Sequence, residues 1–488
     1  MRSSTRSDLT AAGPELFART FALDVRALAT FRVSVAAIVL VDLAGRARDL
    51  SVFYTENGIL PSRACAELSA PLVRNAPSLS LHAIAGGAGW QAALFAVAAA
   101  CACGLALGWR TRAMTIATWA LLTSLHARMP LVLYRGDAVL RLMLFVAMWL
   151  PLGAHLSLDA RRRSAPSASA SEVGGAACFI AAAQLAIVYV VGVAYKSGVT
   201  WRDGSAVYYA LQLDGYVTEL GRWVGARPAW SPALTWGTLG IELAAPLLLF
   251  VPWQRDKLRV IAVALAFALH IGMLLTMRLD LFPWVMFACW GLFLPPPFWD
   301  AVARRAGLRS FTTAPGARVD AHDRRWAPVL LGVLAAIIAW NVTELSSSPP
   351  PWLGTALRPF GLTQRWSMFS PDPARDDGWL VARARLAGGE EVDVLDGGLP
   401  IRARPREKRD LRWRSYLALV ARDPHGPLTS GLLAWLCART PGIEQITLVF
   451  EEEYTMPPGV SPLRETLVIG RSTCHHDGSP ADAARPAP

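Results

Sequence analysis

The chain has 488 residues, of which 53% are hydrophobic and only 17% charged, and it carries a formal net charge of +11. These values exclude an ordinary soluble enzyme and point to a polytopic membrane protein. The positive balance then belongs to loops beside anionic lipid. No basic nucleic-acid motif is present, and seven cysteines without a CxxC pair offer no metal site.

Residues 1–26 read as a polar, basic, cytoplasmic leader with no cleavage pattern. The first span is Ala27–Ala44, with Arg32 and Asp42 inside it. Charges at such depth must face the bundle or water and have a partner. The loop FYTENGILP (Phe53–Pro61) contains Tyr54 and an ordered turn. Spans two and three are Trp90–Trp109 and Ala113–Ala127, joined by a short turn with Arg110 and Arg112. His126, Arg128, Asp137 and Arg141 then crowd one short segment. They form either a charged interfacial loop with local ion pairs or the polar wall of a site.

Span four is Ala138–Leu156, followed by a flexible linker with Arg161, Arg162 and Arg163. Span five, Ala176–Tyr195, ends in Lys196, five residues before Trp201. A lysine at the mouth of an apolar helix either snorkels to the interface beside a belt tryptophan or, desolvated, serves as a base. Span six, Leu234–Val251, carries Glu242, and span seven, Leu258–Met277, carries His270. Each is a site candidate by position and equally a hydrogen-bonded structural group. Span eight is Leu281–Pro295, residues 301–326 form a basic loop, and the last span occupies 327–346.

From Trp352 the composition turns soluble. Two strands around Gly-Gly-Glu, helices over Leu411–Ala421 and Ser430–Arg439, and strands over Ile446–Tyr454 and Glu465–Ile469 predict a small α+β domain over 352–474. Residues 475–488 read as a disordered tail. Cys437 and Cys474 are candidates to pair with each other, as is Cys65 with either. The fold class is thus an α-helical polytopic membrane protein of about nine spans with a C-terminal α+β extramembrane domain. The short basic loops fall on alternate sides, which puts the N-terminus in the cytoplasm and the C-terminal domain outside. The same parity puts Tyr54, Asp137, Lys196, Trp201 and Arg278 on the outer face.

Five segments in order, FRVSVAAIVLVDL…DLSVFYTENGILP, SLHARMPLVLYRGDAVLRLMLF, YVVGVAYKSGVTWRDGSAVYYAL, GIELAAPLLL and FALHIGMLLTMRLDLFPWVMF, resemble the HTTM family over about residues 20–300. Its members are bacterial membrane proteins similar to the vitamin K-dependent γ-glutamyl carboxylase of animals. The resemblance implies that Lys196, in step with Trp201, is the active-site base and that His270 matches a family histidine. It implies a reduced naphthoquinone, of vitamin K or menaquinone type, as cofactor. Lys196 would deprotonate it, oxygen would convert it to a strongly basic alkoxide, and a substrate glutamate carbanion would then attack carbon dioxide. Arg128, Asp137, Glu242, Tyr54 and Arg32 join Trp201 as candidates to bind substrate or cofactor. The partners implied are membrane lipid or quinone and an extracytoplasmic peptide or protein. A counterpart of the animal propeptide-recognising region is absent from this sequence. The alternatives are a non-catalytic scaffold that holds quinone or lipid, and a transporter built around Glu242 and His270.

Overall fold

The computed structural model describes residues 16–73, 76–162, 170–308, 314–319, 321–397 and 411–474. The first fifteen residues of the leader and the tail over 475–488 lie outside them. Two compact units emerge: Met1–Asn57 with Pro61–Ala374, and Gly58–Leu60 with Arg375–Pro488. The sequence predicts a boundary near Trp352; the structure instead keeps 352–374 with the helical unit.

The helical unit is built on α1 (Val25–Arg48), α2 (Ala88–Leu107), α3 (Thr111–Arg128), α4 (Arg135–Ala147), α5 (Ala176–Tyr195), α6 (Ser231–Leu248), α7 (Arg255–Thr276), α8 (Phe282–Gly291), α9 (Pro296–Ala306) and α10 (Ala321–Ser346). Helix α5 sits centrally, packed on α4, α6 and α10, while α1 packs on α2 and α8. Helices α1, α2, α5, α7 and α10 are long and apolar enough to cross a membrane. Helices α8 and α9, bent by 100° at their junction, make a sixth candidate. The chain is therefore an integral membrane protein. The predicted nine spans exceed what length and composition support among the described residues. Helix α4 has only 13 residues. Helix α3 buries Thr111, Thr115, Thr118, Thr123 and Ser124, and α6 carries a buried Glu242 and an internal Pro246. Such helices rely on neighbours for their polar groups.

One end of this unit gathers the basic segments. Strand β1 (Leu23–Asp24) pairs antiparallel with β2 (Ala170–Gly174), which pairs in parallel with β3 (Ala314–Val319). The leader, the linker after span four and the late basic loop thus share one sheet, which sequence patterning did not signal. Arg255, the first residue of α7, bonds Glu172 at 2.7 Å and the Arg19 carbonyl, and Arg259 bonds the carbonyls of Ala22 and Thr20. Asp159 accepts the Arg110 and Thr111 N–H groups at 2.9 and 2.7 Å. Every basic segment assigned to one side by charge parity is joined here by contact.

The second unit holds a four-stranded antiparallel sheet in the order β5 (Glu391–Asp393), β4 (Asp376–Leu386), β6 (Ile443–Tyr454), β7 (Leu463–Thr473). Helices α11 (Leu411–Ala421) and α12 (Pro427–Arg439) complete it, α12 packing on β6 and β7. Leu428, Leu432, Leu433 and Leu436 of α12 are buried, as are Ile443, Ile446 and Leu448 of β6. The predicted α+β elements are all present. Cys437 and Cys474 form a disulfide with 5.4 Å between Cα atoms. Cys65 is free, and its thiol instead meets the Arg128 carbonyl and the Met129 sulfur at 3.4 Å.

Candidate active site

Lys196 closes α5 as its C-cap. Its ammonium nitrogen bonds Glu242 of α6 and lies 5.0 Å from the centroid of the Trp201 ring. The Lys196 and Glu242 side chains are only 4% and 8% exposed. The choice between a snorkelling lysine and a buried one is therefore decided: Lys196 points into protein and is paired. Trp201, 5% exposed, is held by its indole N–H, which donates to the Phe369 carbonyl at 2.8 Å.

His270 lies in another part of the same helical packing. The Trp290 indole N–H donates to the Tyr189 hydroxyl at 2.7 Å, and that hydroxyl lies 2.7 Å from His270 Nε2. An indole can only donate, so the Tyr189 O–H is left to donate to Nε2, and the imidazole proton then sits on Nδ1. His270 Nδ1 is buried with no hydrogen-bond partner among the described residues. Phe282 and Phe287 stand around the ring at 5.6 and 6.3 Å. Tyr189 and Lys196 are seven residues apart, two turns or about 10 Å along one face.

Tyr54 and Asp137 meet in a third group organised by Arg46, at the end of α1. The Arg46 guanidinium donates to Asp42 at 2.7 Å, to Asp137 at 2.7 Å and to the Tyr54 hydroxyl at 2.9 Å. Asp137 also accepts the Tyr134 N–H at 3.1 Å, at the start of α4, where the helix dipole favours an anion. His126 lies between Arg46 (3.3 Å) and Arg141 (3.0 Å). A neutral imidazole has one acceptor, so the shorter contact, at Nδ1, takes it, and Nε2–H faces Asp137 at 3.7 Å. Asp42, His126 and Asp137 have the donor chemistry of a cation site, their ligand atoms lying within 4.8 Å of one another. The Arg46 guanidinium stands among them and bonds both carboxylates.

Arg128 donates to the Thr55 carbonyl at 3.3 Å and lies 3.8 Å from Glu56. Arg32 is placed apart from the other candidates. Its guanidinium bonds the carbonyls of Leu152, His155 and Leu156 at 2.8, 3.2 and 2.6 Å, holding the chain reversal after α4 at the basic end.

A strap over Gln364–Asp372 is fastened to α5 and to the Lys196–Trp201 step. Gln364 exchanges amide hydrogen bonds with Gln184 of α5 at 2.9 and 3.1 Å. Its side-chain oxygen accepts the Trp366 indole N–H and its carbonyl accepts that of Trp340. Asp372 accepts the Thr200 N–H at 2.8 Å and its hydroxyl at 2.5 Å, and the Pro371 carbonyl accepts the Gly198 N–H at 3.0 Å. A Cβ at position 198 would lie 2.1 Å from Asp372 Cγ. Glycine there is what lets the strap approach the step between Lys196 and Trp201.

Sequence reasoning passed over Arg46, Tyr189, Trp290 and the strap. The spacing of Asp42 and Arg46, one helical turn apart, was the available signal for the first. A tyrosine inside an otherwise apolar span was the signal for the second. Neither a curated protein nor a solved structure matches the chain. The model of the HTTM domain matches residues 22–299, over half of the chain and all three buried groups. The chain belongs to the HTTM domain family, membrane proteins related to the vitamin K-dependent carboxylase.

Proposed function

We propose that this protein is a quinol-coupled carboxylase of the membrane, acting on a glutamate or another carbon acid with Lys196 as base. The observation that carries the reading is the buried contact of Lys196 with Glu242, beneath the Trp201 ring. Burying a lone ammonium is expensive. Its pairing with Glu242 offsets that cost. In the proposed role Lys196 takes a proton from a bound hydroxyl, and Glu242, its buried hydrogen-bond partner, is the group through which that proton is passed on. The Trp201 face supports the ammonium so formed by about 1–2 kcal/mol.

The Trp201 ring beside Lys196 gives a reduced naphthoquinone a flat aromatic face, and His270 Nδ1, without a hydrogen-bond partner among the described residues, is a polar contact further along the same packing. Lys196, Trp201 and His270 would hold it. When bound, such a group supplies reducing equivalents and, with oxygen, the basicity needed to remove a carbon-bound proton so that carbon dioxide can add. Tyr189 and Trp290 keep the His270 ring fixed. The Gln364–Asp372 strap shields the Lys196 step from water, which protects a strong base. The substrate is a peptide or protein reaching the site from outside the cell, and the N-terminus lies in the cytoplasm.

The test is turnover by purified protein supplied with a reduced naphthoquinone, oxygen, labelled bicarbonate and glutamate-containing peptides. Epoxide and fixed label should appear with the native chain and vanish with Lys196→Ala. Equal product from both proteins would sink the assignment. A second reading, a quinone- or lipid-binding protein without turnover, is favoured by how completely Lys196 and Glu242 close on each other. Epoxide formation would rule it out.

A further inference from the structure

Arg135 opens α4, and its guanidinium has an unusual set of neighbours. Among the described residues it bonds one group, the Ser367 hydroxyl at 3.2 Å, and no carboxylate. Two residues earlier on the strap, Arg365 lies 5.9 Å over the Tyr195 ring and 3.5 Å from Glu344. Glu344 is 6% exposed, and its backbone carbonyl accepts the Tyr195 hydroxyl at 3.3 Å. Burial, then the like charge of Arg365, pull the Arg135 guanidinium below its ordinary value. Glu344 pairs with Arg365, and Arg135 has no carboxylate partner among the described residues, so one positive charge is left over. A guanidinium fork with unused N–H groups beside a hydroxyl free to donate is the donor set of a planar oxyanion site.

We propose that Arg135, Ser367 and Arg365 bind an oxyanion of single negative charge, a carboxylate, beside the step that carries Lys196. Arg135 makes the forked contact. The Ser367 hydroxyl accepts from Arg135 and donates to the ligand. Arg365, 46% exposed, guides the anion in from solvent. The excess charge of one matches a carboxylate or a lipid phosphodiester and disfavours a phosphate dianion. Strap residue Ser367 touches Arg135 and strap residue Phe369 holds Trp201, so a ligand seated here is registered against the Lys196 step. On the carboxylase reading this anion is a carboxylate of the substrate. The binding itself is measured without turnover and stands or falls separately.

The experiment uses the full chain in phosphatidylcholine nanodiscs, titrated with N-acetylglutamate α-amide and with the uncharged N-acetylglutamine amide, read by calorimetry. Saturable binding of the first and not the second is expected. Arg135→Gln should weaken it at least about tenfold, the value of one charge-assisted contact, and Arg135→Lys by less, since it keeps the charge and loses the fork. Arg365→Gln should weaken it severalfold. Arg63→Gln, at a side chain 93% exposed and paired with Glu67, should change nothing. In the lipid arm, phosphatidylglycerol is added to the nanodiscs and retained lipid is counted by native mass spectrometry. Retention lost in Arg135→Gln, without binding of the free amide, would keep the oxyanion site and make lipid its source. If a folded Arg135→Gln protein binds amide and lipid as the native chain does, the proposal is overturned. It is equally overturned if Arg63→Gln weakens binding as much. Should Arg135→Gln fail to fold, Arg135→Lys and Arg365→Gln decide the question. Binding intact in Lys196→Ala but lost in Arg135→Gln separates this site from the base.

Discussion

Glu242→Ala removes the partner of a lysine whose side chain is 4% exposed. Water cannot reach the orphaned ammonium, so the cost is that of breaking a buried pair, about 3–5 kcal/mol. At about 2 °C per kcal/mol for a large domain, the unfolding midpoint should fall by roughly 6–10 °C. Replacing both groups by apolar residues, Lys196→Met with Glu242→Leu, removes the charge along with its partner and should recover more than half of that loss. The assay is thermal unfolding in matched nanodiscs, followed by Trp fluorescence. Glu242→Ala melting at the native temperature would refute the buried-pair argument, and so would a double variant no better than the single one. Glu242→Gln keeps a hydrogen-bonding group but cannot take up the lysine proton. It should fold well and still lose turnover, which separates the proton-passing role from packing.

Tyr189→Phe strands the Trp290 N–H and His270 Nε2, and should cost about 1–3 kcal/mol for each group left unpaired, read as a lower unfolding midpoint. Gly198→Ala places a methyl against Asp372. It should loosen the strap, seen as faster amide exchange at Thr200, with the helices unaffected. Burial pushes the Cys65 thiol up to about 11 from 9.0. The folded chain therefore holds that proton longer than the unfolded one, and the stability this contributes, present below about pH 9, should be lost as pH rises to about 11. Thiol labelling of a Cys65-only variant should follow the same window. Reducing Cys437–Cys474, which spans 37 residues of sequence, should destabilise the second unit by about 3–4 kcal/mol on the chain-entropy estimate, measured with and without reductant.

The sequence made legible what depends on composition and on local pattern. The apolar runs, the helix-ending Lys196 with Trp201 in step, and the alternating strands after Trp379 were all readable. It left illegible what depends on which helix faces which. Arg46 lies just beyond the apolar run of the first span and reads as a flanking charge. Only packing of α1 near α4 shows it bonding Asp137, 91 residues away. Arg32 reads as a charge inside the first span, a candidate for the site. Yet it sits at the opposite end of that helix and caps a chain reversal. Gln364–Asp372 reads as polar linker because its hydrogen bonds run to Thr200, Gly198 and Gln184, all distant in sequence.

The small sheet at the basic end has a consequence for how the protein is made. Its strands leave the ribosome in the order β1, β2, β3, and β3 starts about 290 residues after β1 ends. At 5–20 residues per second, Leu23–Asp24 and its eventual layer are separated by roughly 15–60 s of synthesis. β2 ends about 140 residues before β3 begins, so for roughly 7–28 s of that interval its edge stands open while the helices between are inserted. Closing the sheet is therefore a late event, and a chain stopped before Ala314 should keep its early helices yet show a protease-sensitive site near Glu172.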